Sequence, residues 1–83
     1  MENSKLLEAA NKAAITHILP YEMNFSIEDN LQGFFIKVSD KHSAWELFEQ
    51  VNIQSLPDNV KEQYLICKIH ALAVKVISKR FPL

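Results

Sequence analysis

Residues 60–81 read VKEQYLICKIHALAVKVISKRF, a stretch with neither Gly nor Pro. This is one long helix, Val60 to Phe81, around which the rest of the chain is arranged. Ser55-Leu56-Pro57-Asp58 precedes it as a start signal, with Pro favoured in a first turn and Ser or Asp as cap. Pro82 follows, where a helix is expected to stop. Lys75, Lys79 and Arg80 crowd its last turns and suit the negative end of the helix dipole.

At 100° per residue, Leu65, Ile66, Ile69, Leu72, Val76 and Ile77 form one broad apolar face. Tyr64, Cys67, Ala71 and Val74 carry the apolar surface around the back. Lys61, Lys68, Lys75 and Lys79 are left as a narrow polar stripe. A surface helix needs one covered face, whereas this one is apolar over most of its circumference. It is therefore expected to be sandwiched within the domain or shared with a second chain.

Eighty-three residues, 48% of them apolar, make one domain spanning 1–83. A chain of this size draws modest stability from a single core and often gains more from disulfides, metal or oligomerisation. With one cysteine no internal disulfide forms. No metal-ligand cluster is apparent, which leaves oligomerisation. The stretches around Ala9 and Ile69 are interrupted by polar residues, so neither a signal peptide nor a membrane span is expected. A soluble cytoplasmic protein follows as the expectation. Residues 1–60 carry nine acids and four lysines, residues 61–83 five basic groups and Glu62.

Ser4 to Ile18 reads as a first helix, capped by Asn3 or Ser4 and ended by Pro20. Leu7, Ala10, Ala14 and Ile18 share one side, broadened by Leu6, Ala13 and Ile15. Its four alanines allow close approach to the long helix. Tyr21 to Ile27 alternates apolar and polar residues as a half-buried strand does. Glu28-Asp29-Asn30 supplies turn chemistry, and Phe34 to Val38 is a second strand. A two-residue loop would set Phe25 against Phe34; a loop from Asp29 to Gln32 would set Phe25 against Ile36. Gly33 serves as a bulge or loop exit. Ser43-Ala44-Trp45-Glu46 matches a capping box and predicts a short helix from Ala44 to Val51. The expected fold is α+β, in the order α-β-β-α-α: an antiparallel hairpin packed on helices, closed by the long C-terminal helix.

Chemistry is sparse. Asp40, His42 and Ser43 have the residue types of a hydrolytic triad, but triad members converge from separate segments and no glycine elbow surrounds the serine. His17, His42 and His70 are scattered; Cys67 and His70 are three apart, and two ligands do not make a structural zinc site. One glycine leaves no phosphate-cradling loop. The sequence thus predicts no enzyme, no metal and no cofactor. Two readings remain. The first is a non-enzymatic protein-interaction module of adaptor or inhibitor type, homodimeric through its long helix or a hairpin edge and binding a further protein. Its contact residues are Phe35, Trp45, Tyr64, Cys67, Ala71, Val74 and Phe81. The second is a nucleic-acid-binding regulator presenting Lys61, Lys68, Lys75, Lys79 and Arg80 to phosphates. Arginine is scarce for base reading, so the first is preferred.

Overall fold

A computed structural model describes residues 3–80, and the side chains of residues 4–79. The order is α1 (Asn3–His17), a 3-10 turn (Leu19–Tyr21), β1 (Met23–Asp29), β2 (Gly33–Asp40), β3 (Glu46–Asn52) and α2 (Asp58–Arg80). The strands form an antiparallel sheet in the order β1-β2-β3. Both helices cover one face of it. Alternation decides which face: Met23, Phe34, Ile36, Val38 and Val51 are buried, while Asn24, Ser26, Glu28, Phe35, Glu46, Phe48 and Gln50 point to solvent.

The helices obey their periodicity. α1 buries Leu6, Ala10, Ala13 and Ala14, with Ile18 buried just past its end, and its small residues let it lie directly along α2. Ile15, expected at the margin of this face, is exposed. α2 buries Leu65, Ile69, Leu72, Ala73 and Val76, flanked by half-buried Ile66 and Ile77. At 1.5 Å per residue it runs about 34 Å, close to the longest dimension of the molecule, 38 Å. The helix begins two residues earlier than expected, at Asp58, whose carboxylate complements the dipole and pairs with Lys61.

Two expectations are corrected. The stretch from Ala44 to Val51 is not a helix: Lys41 to Trp45 is a loop and Glu46–Asn52 is the third strand. The capping box is a local signal of about 1 kcal/mol. β3 gains a full ladder along β2, from Gly33↔Asn52 to Ser39↔Glu46, and buries Val51. Glu46 pairs with Lys37 instead of reaching back to a helix start. Tertiary pairing overrides the local preference, and it relieves the marginal stability of a lone hairpin. The hairpin register also differs from both alternatives. Phe25 lies opposite Val38, Ile27 opposite Ile36 and Asp29 opposite Phe34. The ladder runs on to Asp29 because Asn30 and Gly33 close the turn, exchanging backbone hydrogen bonds of 2.9 and 3.3 Å. Asn30 Oδ1 also accepts from the Gln32 and Gly33 amides. Asn30 and Gln50 add a reciprocal side-chain amide pair that ties this turn to β3.

Candidate functional site

The two-layer arrangement covers α2 on one side. Val60, Tyr64, Cys67, Ala71, Val74 and Ser78 remain exposed along the other. Val74 is 48% exposed and Tyr64 39%. Cys67, His70, Ala71, Val74 and Lys75 line a shallow, mostly apolar hollow midway along the helix. This face is the one the helical projection marks as surplus apolar surface. Cys67 is a free thiol within it, contacted by the Gln63 amide at 3.7 Å.

The borders of the face differ in chemistry. On the β3 side stand Lys68 and Lys75. Glu49, placed on the inner face of β3 by the alternation, accepts Lys68 at 3.4 Å and Lys75 at 3.9 Å. Lys68 Nζ also lies 5.5 Å above the Tyr64 ring. The hydrogen bond to Glu49, and then Tyr64, raise the Lys68 pKa above its ordinary value. A raised lysine pKa means that the contribution of the Lys68 charge is fully present at neutral pH and is lost as pH climbs through the raised value. Glu49→Ala is expected to lower the denaturation midpoint at neutral pH by more than Glu46→Ala, since Glu46 meets a single lysine at 3.9 Å on the exposed face. Equal midpoints for the two variants would refute that ranking.

On the α1 side His70 stacks on His17, with ring centroids 5.1 Å apart and planes within 4°. His17 thus meets a ring of the other helix at the α1 terminus. Among the described residues, no group of three His, Cys, Asp or Glu is placed to hold a metal.

The lysine stripe is largely committed to acids. Lys61 pairs with Asp58 at 3.2 Å, and Lys68 and Lys75 share Glu49. Lys79 is exposed; the side chain of Arg80 lies outside the described residues. The Asp40–Ser43 segment acts as a loop clamp. Asp40 Oδ1 accepts the His42 backbone amide at 2.8 Å. The His42 ring faces Glu22 at 3.2 Å, and the Lys41 amide donates to the Glu22 carbonyl at 3.1 Å. The imidazole thus meets Glu22, and Ser43 is exposed.

A second apolar surface lies on the opposite side of the molecule. Phe35 and Phe48 stack diagonally across β2 and β3 on the outer sheet face, with centroids 5.8 Å apart. Phe48, 55% exposed, falls within the stretch whose capping box predicts a helix; the alternation of Glu46, Phe48, Gln50 and Asn52 is the signal that places it outside. Trp45 is half-buried and packs against the core. Phe81 lies outside the described residues. No helix among the described residues is long and apolar enough to cross a membrane. Compared with protein-family models, curated proteins and solved structures, the chain shows no significant match.

Proposed function

We propose that the chain is a non-enzymatic protein-interaction module that forms a homodimer through the exposed face of α2. The observation that carries this is the row Tyr64, Cys67, Ala71 and Val74, which the chain's own helices and sheet leave uncovered. Edge-to-edge strand pairing is less well supported. Glu49 is an inward-pointing charge on the edge strand β3, a device that discourages strand addition, and two lysines of α2 converge on it. In this reading the outer aromatic pair, Phe35 and Phe48, faces away from the dimer and receives a second protein. That gives the adaptor or inhibitor character. The setting is cytoplasmic, with Cys67 reduced.

Sedimentation or light scattering across a wide concentration range tests the self-association. Wild-type protein is expected to form a dimer. Ala71→Arg, on an exposed helical position, is expected to retain its circular dichroism and to sediment as a monomer, because it places a charge in the apolar row. A wild-type chain that stays monomeric at every concentration would overturn the reading. Nucleic-acid binding through Lys61, Lys68, Lys75, Lys79 and Arg80 has less support, because three of these lysines already meet carboxylates. A mobility shift at low salt that disappears on Lys68→Glu with Lys75→Glu would favour it instead.

A further inference from the structure

From the spacing and borders of the exposed face of α2, we infer that two copies pair through it in parallel and in register, so that each residue of the row meets its own counterpart. This rests on the self-association proposed above and adds its geometry.

The exposed positions Val60, Tyr64, Cys67, Ala71, Val74 and Ser78 alternate spacings of four and three. That is the seam of a heptad repeat, the spacing by which a helix keeps one line facing a like helix. Cys67, Ala71 and Ser78 are small and let the two backbones approach. A second copy of the helix presents this same spacing.

The borders set the direction. Lysines stand along the β3 side of the seam, where Glu49 reaches Lys68 and Lys75. Gln63 and His70 stand along the other, where His70 stacks on His17. A two-fold axis parallel to the helices lays the lysine border of one copy against the Gln63 and His70 border of the other. An antiparallel pair has its two-fold axis across the helices and lays lysine border against lysine border, Lys68 closest to its counterpart. Lys68 and Lys75 share the single carboxylate of Glu49, so this border keeps a net positive charge, and laying two such borders together is unfavourable; the dipole preference for antiparallel helices is weak and confined to the end turns.

The parallel register brings Cys67 opposite Cys67 of the second copy, within the Cα separation of about 4.4–6.8 Å that a disulfide spans. In an antiparallel pair Cys67 faces Ala71 instead. Its counterpart then lies a further turn along the axis, about 6 Å, which takes the pair beyond the roughly 7 Å limit for bridging.

The test is disulfide trapping with diamide, which takes up the two thiol protons and two electrons as the S–S bond forms. The reference is Ser26→Cys in a Cys67→Ser background, an exposed thiol on the outer sheet face. Wild-type Cys67 is expected to link into a dimer about tenfold faster than this reference, or more, because pairing raises the effective thiol concentration. Ala71→Cys in the Cys67→Ser background is expected to link equally fast. If each single thiol links no faster than the reference while a chain carrying Cys67 and Ala71→Cys links rapidly, the pair is antiparallel: the direction is overturned and self-association stands. If no arrangement links faster than the reference and the wild type sediments as a monomer, both are overturned.

Discussion

Replacing Gly33 with alanine is expected to cost at least about 3 kcal/mol, a large loss for the addition of one methyl group. Gly33 is the chain's one glycine, and it is buried where the β1–β2 turn enters β2. A Cβ built on it would overlap the backbone carbonyl oxygen of Val51, and would also press on the Ile53 amide at 3.1 Å. Neither neighbour is a side chain that can swing aside. Val51 belongs to the β2–β3 ladder, and the Ile53 amide donates to the Gln32 carbonyl at 2.9 Å. The φ of +157° adds strain, since side chains rarely adopt it. A domain of this length holds about 4–12 kcal/mol in total, so Gly33→Ala removes a large share of it. Chemical denaturation followed by far-UV circular dichroism reads the loss as a lowered midpoint. A midpoint within experimental error of wild type would show that the turn and β3 move apart freely.

Phe34→Ala is expected to cost about 3–5 kcal/mol, the range for emptying a fully buried aromatic site. Phe34 is completely buried at the start of the central strand, with Asp29 and Val51 as its two cross-strand neighbours. The adjacent Phe35→Ala is the control. It sits on the other face, 37% exposed, and loses part of its own burial and the stack on Phe48, about 1 kcal/mol. The difference between neighbouring phenylalanines reports the strand alternation directly. Comparable losses at both positions would mean that the outer face is covered, and would also weaken the assignment of Phe35 and Phe48 as a contact surface.

Most of this architecture can be read from periodicity. Helical spacing in residues 4–18 and 60–80 and alternation in Met23 to Ile27 and Phe34 to Val38 each point to one structure, because burial on a helix or strand imposes that period. Tyr21 fits the same alternation but closes the 3-10 turn, and the left-handed Glu22 delays the strand to Met23. β3 escapes such a reading for a specific reason. Ala44, Leu47, Phe48 and Val51 also fit a helical face, and the inner face of the strand is Leu47, Glu49 and Val51, so a charge interrupts the apolar alternation. Glu49 makes sense as an inward residue only beside Lys68 and Lys75, which come from a helix distant in sequence. The hairpin register is hidden similarly. Three alignments keep the apolar faces together, and the turn hydrogen bonds of Asn30 and Gly33 choose among them. On α2, the projection identifies Tyr64, Cys67, Ala71 and Val74 as surplus. Phe48 on the outer sheet is invisible without β3. The commitment of the lysines to Asp58 and Glu49 is half legible: the first pair lies within one helical turn, whereas the second bridges strand and helix.

The contact between α1 and α2 joins the first and last elements of the described residues, with His17 against His70. While the polypeptide is being made, Phe34, Ile36 and Val38 therefore leave the ribosome well before the helix that shelters them. Synthesis at about 5–20 residues per second leaves this greasy sheet uncovered for a few seconds. Closure waits for release of the final turns of α2, so a ribosome stalled before that point holds an emerging chain that chaperones and proteases can seize.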